Sequence, residues 1–268
     1  MDILPIEDKV AVVFHGIIGG LSGVNGVGIS ANIQDCAKTM KYNFLSHYNC
    51  DIFMHSWTVD KEEELKSLYN PVASLFQPQE YFGFNEEQAR DSYGSFSKVA
   101  AHWRLLSLCT SVERGIKLKQ DYEISNGFRY KWVILLRYDL IFFKRLDIST
   151  YDNNNFYVVE WENGKLENGG ILDYIFLSDS KMMDEIAKLP SEINNKIYDP
   201  SHSHKMFYNK LMNMYDKDIN RVKSLGRRYK DFEILRFIVG ADVNNSYKRG
   251  SLEGKEEFEK LMQEINNK

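Results

Sequence analysis

The sequence predicts an α/β domain, a mixed but mostly parallel central sheet flanked by helices. Two stretches carry that prediction. Lys131 to Phe143, KWVILLRYDLIFF, holds a continuous apolar run from Trp132 to Leu136, which suits a strand buried on both faces of a parallel sheet. Lys9 to His15, KVAVVFH, is a β-branched apolar run followed by a glycine-rich loop and a helical repeat, giving strand, loop and helix in order.

Composition narrows the class. The 268 residues suffice for one large domain or two small ones, and the absence of any repeat, low-complexity tract or obvious linker favours one. With 43% hydrophobic and 27% charged residues the chain has the makings of an ordinary globular core. A net charge of −4 argues against a general nucleic-acid binder. The three cysteines, Cys36, Cys50 and Cys109, are odd in number and far apart, which fits neither a disulfide framework nor a zinc pattern. A reducing, cytoplasmic setting is the expectation. The opening MDILPIEDKVAVV lacks the basic and apolar regions of a signal peptide, and no apolar run approaches the ~20 residues of a membrane helix.

The elements follow in order. After the first strand comes a segment with six glycines, Gly16, Gly19, Gly20, Gly23, Gly26 and Gly28, a loop that can bring backbone N–H groups close to a ligand. Ser30 is the expected N-cap of a helix carrying Ile33, Ala37, Met40, Phe44 and Tyr48 on one stripe. Gly26 to Ala31 spells G-x-G-x-x-A, but it starts about ten residues beyond the strand, too far for the dinucleotide fingerprint, and no phosphate-loop motif occurs. Cys50 to Trp57 reads as the second strand, Asp60 to Tyr69 as an acidic helix and Val72 to Phe76 as a short third strand. Asn85 to Gln120 is helical, broken near Gly94, with Phe96, Val99, Ala100, Trp103, Leu106 and Thr110 as its buried stripe. Gly127 closes it as a C-cap before the central strand. Phe156 to Trp161 and Leu172 to Leu177 are further strands, and Asp179 to Leu189 is an amphipathic helix. Pro190 and Pro200 bracket a loop, Ser201 to Tyr215 is helical, and a basic stretch runs from Lys223 to Lys230. An apolar run spans Phe232 to Val239, and a peripheral helix begins at Lys255.

Open α/β sheets bind ligands at the carboxyl ends of their strands. Arg137 and Asp139 directly follow the central strand, His15 and Gly16 end the first, and His55 and Trp57 end the second. An ion pair capping a strand is the competing reading for Arg137 and Asp139, and a structural partner is the competing one for His55. Lys98 and Arg104 lie near a helix start, where orphan N–H groups favour an anion.

Four segments resemble a known family. They are KVAVVFHG; DIFMHSW, similar to D-x-F-x-H-x-W; YKWVILLRYDLIF after QDYE, similar to Y-D-x-V-I-R-x-R-x-D-L-x-F; and DYIFLSDSKMMDEI, similar to D-x-x-F-x-S-x-x-x-M. Their order, between Lys9 and Leu211, resembles glycosyltransferases of the GT-A type that build surface polysaccharides in bacteria and large DNA viruses. The resemblance implies one Rossmann-like domain. Residues 9–140 would hold a nucleotide sugar, 141–250 a glycan acceptor, and 251–268 the peripheral helix. It also implies a UDP- or GDP-sugar donor, UDP foremost, and Mn2+ or Mg2+ held against the diphosphate by an Asp-x-Asp motif. Here Arg137 replaces the first acid. Asp139, with His204 as a contributor from the C-terminal half, would hold the metal, and Arg137 and Arg104 would touch phosphate. His202 and His204, at i and i+2, do not share a helix face. For an inverting transfer, Asp173 is the first candidate base, Glu160 the second, and Asp179 a reserve better read as an N-cap. A methyltransferase and a non-catalytic nucleotide-sugar or glycan-binding module are the alternatives. The first calls for an acid at the end of the second strand, where Asp51 stands at its start instead.

Overall fold

The two strands that the sequence marks most strongly lie side by side in the middle of the sheet. In this computed structural model, which describes residues 5–18, 32–84, 98–160, 171–198, 203–228, 230–234 and 248–267, β1 (Pro5–His15) runs parallel to β4 (Arg129–Arg137). Val12 stands opposite Ile134, and His15 opposite Arg137. Outward from β1 come β2 (Cys50–Ser56) and β3 (Ala73–Phe76), both parallel. On the other side of β4 lie β7 (Ile171–Ser178), β6 (Phe156–Glu160) and β8 (Val222–Arg227). Among the described residues these seven strands form one sheet in the order β3-β2-β1-β4-β7-β6-β8. Only β7 opposes the rest, being antiparallel to both β4 and β6, while β6 and β8 are parallel. The mixed, mostly parallel sheet is therefore present.

Both faces of the sheet are covered, as the unbroken apolar run requires. Along β4, Trp132, Ile134 and Leu136 enter one core cluster and Val133 and Leu135 the other, the period of two expected of a strand. The first cluster is closed by α1 (Ile33–Asn43) and by a two-stranded sheet of β5 (Leu140–Phe142) with β9 (Phe232–Ile234). The second is closed by α3 (Lys98–Asn126), α4 (Ser180–Ile186), α5 (Leu189–Asn194) and α6 (Ser203–Met214). Helix α2 (Glu62–Tyr69) joins β2 to β3, and α7 (Lys248–Asn266) sets Leu261 against Cys36 and Ile141 beside α1. Among the described residues no helix is long and apolar enough to cross a membrane, and all three cysteines are free thiols.

Several element boundaries differ from expectation. The N-cap of α1 is Asn32 rather than Ser30, its side chain accepting from the backbone N–H of Gln34 at 3.2 Å and of Asp35 at 3.4 Å. The helix stops at Asn43, so Phe44 and Tyr48 pack as neighbouring rings in the following turn. Pro190 lies in the first turn of α5, where its missing N–H removes no helical bond, instead of in a loop. The basic stretch from Lys223 falls largely in β8, an edge strand. The C-terminal helix begins at Lys248, not Lys255. Gly19 to Gly28, Gly94, Pro200 and His202 lie outside the described residues.

Helix α3 sits unusually close to the sheet. A Cβ on Gly115 would come 2.9 Å from Val13 Cγ1, 3.2 Å from the Phe14 carbonyl oxygen and 3.8 Å from His55 Cβ. Gly115→Ala is expected to destabilise the chain by about 1–3 kcal/mol despite alanine's better helix propensity. A urea melt at or above wild-type stability would contradict this packing.

Candidate functional site

The chain steps from β1 out to β2 and β3, then returns to place β4 on the opposite side of β1. The strand order thus reverses at the β1–β4 gap, where open α/β sheets form a ligand crevice outside the carboxyl ends. Along that edge the strands bring together most of the residues singled out above. His55 stands at the end of β2, His15 at the end of β1 and Arg137 at the end of β4. Because β7 runs the other way, it contributes Asp173 from its beginning, and β6 ends on Glu160. Asp51, at the start of β2, lies at the far edge, held by Lys9 at 2.9 Å and by the Tyr130 hydroxyl at 2.7 Å.

Gly16 knits the first two strand ends to α3. Its φ of +102° is a conformation that favours glycine. Its N–H donates to Ser111 Oγ at 2.7 Å, and its carbonyl accepts from the Trp57 N–H at 3.2 Å and from Ser56 Oγ at 3.1 Å. Ser111 Oγ also lies 2.7 Å from His55 Nδ1. The Ser111 hydroxyl, accepting from the Gly16 N–H, still has its one hydrogen to give to an Nδ1 that carries none. In that arrangement the proton of the neutral His55 ring is on Nε2.

Among the described residues that buried Nε2 has no hydrogen-bond partner, nor have His15 Nδ1 and one terminal nitrogen of Arg114. Native interiors leave few such groups. Both imidazoles are held neutral. Burial, then Arg137, lowers the His15 pKa to about 4, against the pull of Asp173 and Asp139. Burial, then Arg114 and His15, lowers that of His55 to about 3. Trp57 is fully enclosed. Its Nε1 donates to the Ser107 carbonyl at 3.2 Å, His55 meets its ring edge-on at 4.6 Å, and the Arg114 guanidinium lies 5.0 Å from it. It therefore shapes the wall behind His55 and offers no open stacking face. Arg104 is half-buried on α3, two turns before Ser111.

At the β4 end, Arg137 forms a two-pronged pair with Asp139. Nε reaches Oδ1 and Nη2 reaches Oδ2, each at 2.9 Å. Arg137 Nη1 faces Asp173 Oδ2 at 4.0 Å, and the guanidinium lies 6.0 Å from the Tyr174 ring. Burial opposes the Arg137 charge, but Asp139 and Asp173 outweigh it and raise its pKa. The ion-pair reading of this motif is thus realised in the structure. Behind it, Tyr174 donates to Glu233 at 3.3 Å, and Arg228 Nε donates to the same carboxylate at 2.8 Å. Burial raises the Glu233 pKa, partly offset by Arg228. Asp179 caps α4, accepting from the Met182 N–H at 2.9 Å, as expected.

A divalent ion does not fit Asp139 as it stands. Both carboxylate oxygens already accept from a guanidinium, and the residue is 1% exposed. Asp139 and His204 belong to no group of three or more His, Cys, Asp or Glu side chains among the described residues. His204 opens α6, half-buried.

Sequence reading did not single out Ser111, Arg114, Tyr174, Arg228 or Glu233. Two signals were available. Ser107, Ser111 and Gly115 recur every four residues, a small-residue stripe suited to close helix–sheet approach, and Glu233 is a lone acid in an apolar run. No family model matches the chain, and no curated protein matches it. What fold and site define is an α/β protein with a charged cluster at the carboxyl ends of its strands, beside its topological switch point.

Proposed function

We propose that the chain is a nucleotide-sugar-dependent glycosyltransferase of the GT-A type, moving a sugar from a diphosphate donor, UDP-linked foremost, to a glycan hydroxyl with inversion. The observation that supports it best is the row His55, His15, Arg137, Asp173, Glu160 along one sheet edge. It crosses four strand spacings, about 19 Å, a span suited to an extended donor and acceptor rather than one small ion. The neutral imidazoles, with their unpartnered nitrogens, suit the uncharged polar atoms of a nucleoside. Arg137 suits the diphosphate.

Asp173, 15% exposed at the side chain and one strand over from Arg137, is the base. It takes the proton of the acceptor hydroxyl as that oxygen bonds to the anomeric carbon. The bond from that carbon to the diphosphate oxygen breaks, and its electron pair leaves with the diphosphate. Glu160 lies on the acceptor side. A methyltransferase reading gains nothing, because β2 ends in His55 and Ser56 and its acid, Asp51, is engaged at the opposite edge.

Incubation with UDP- and GDP-sugars should release the nucleoside diphosphate, and Asp173→Asn should slow turnover about 10²–10⁴-fold while leaving nucleotide binding in place. A panel in which no donor is bound or consumed would end this reading. Binding without consumption would favour the non-catalytic module.

A further inference from the structure

We infer that the site holds its diphosphate without a divalent ion, with Arg137 as the fixed cation in the metal's stead. This rests on the transferase reading. Of the residues that replace an Asp-x-Asp pair, the carboxylate of Asp139 is the one turned inward. Its side chain is 1% exposed, against 19% for Arg137. Of the pair, the cation is therefore the group that keeps surface to meet a ligand. A metal ion at Asp139 would have to displace two 2.9 Å charge-assisted bonds and then sit beside the positive charge it had displaced.

Arg137 is also fixed in place, as a preorganised counter-ion must be. Asp139 grips Nε and Nη2, and the Tyr174 ring centroid lies 6.0 Å from the guanidinium carbon. The Tyr174 hydroxyl is in turn anchored on Glu233, which Arg228 holds. Among the described residues Nη1 has no hydrogen-bond acceptor, Asp173 lying 4.0 Å away, so its hydrogens can serve a phosphate oxygen. The same nitrogen thereby sets the leaving diphosphate next to the base that serves the acceptor.

Calorimetry with uridine and guanosine diphosphates tests this, in EDTA and again in Mn2+. One of the two should bind the wild-type chain in EDTA with a Kd within about threefold of that in Mn2+. Arg137→Lys keeps the charge but loses the fork, and should weaken binding in EDTA about ten- to a hundredfold with the fold intact by circular dichroism. Binding that appears only with Mn2+, or Arg137→Lys binding as tightly as wild type, overturns this inference and leaves the transferase reading standing. Binding under neither condition overturns both.

Discussion

Lys119→Met is expected to destabilise the chain by about 3–5 kcal/mol, the usual consequence of removing one partner from a buried ionic cluster. Lys119 is fully buried on α3, and each of its three ammonium hydrogens has a partner: Glu123 at 2.9 Å, Asp184 at 2.8 Å and Ser180 Oγ. Glu123, itself 1% exposed, accepts in addition from the Tyr130 N–H at 2.8 Å and from Ser180 Oγ at 2.6 Å. The cluster ties α3 and α4 to the first residues of β4, at the sheet edge opposite the crevice. Methionine fills much of the same space but strands two carboxylates, and among the described residues only the part-exposed Arg129 is left to offset them. Urea denaturation should show the midpoint drop with an unchanged m-value, and adding Glu123→Gln should restore part of the loss. A loss below about 1 kcal/mol would mean that the cluster is hydrated and that its geometry matters little.

Lys119 and Glu123 show where the sequence stops being informative. As an i, i+4 pair of opposite charges they read as a solvated helix face, and nothing in the spacing says that the face turns inward. Burial there follows from α4 and β4 closing over α3, a long-range event. The central strand is the opposite case. Its unbroken apolar run needs two covered faces, so its place in the interior of a layered sheet follows from local pattern alone. Strand β8 gave no such signal because it is an edge strand, with only Val222 and Leu225 buried among charged residues. The crevice divides in the same way. That Arg137, Asp139, His15 and His55 stand at strand ends was legible. That Arg137 folds back onto Asp139 does not follow from the residue types, which suit a ligand contact and an ion pair alike. That Ser111 orients His55 needed α3 in place, and Tyr174 and Glu233 needed β7 and β9.

Acidification is expected to weaken the native state through the two imidazoles at the crevice, by about 4 kcal/mol between pH 7 and pH 5 for the pair. An unfolded histidine takes up its proton near pH 6.5, whereas His15 does so only at about 4 and His55 at about 3. Between those values the unfolded chain binds more protons than the folded one, so stability rises with pH through the window and falls as pH drops through it. Burial is the main cause for both. His15 also faces Arg137, with Asp173 and Asp139 acting against it, and His55 faces Arg114 and His15. With His55 protonated on Nδ1, the Ser111 hydroxyl must turn its own hydrogen away from the ring. Carboxylates titrate in the same range, so the useful measurement is a difference. Urea midpoints of wild type and His55→Gln at pH 7 and pH 5 should show the variant losing about 2 kcal/mol less than wild type over that interval, whatever its stability at pH 7. Equal losses in the two proteins would mean that His55 is already charged in the native state, and the neutral pair assigned to the nucleoside would go with it.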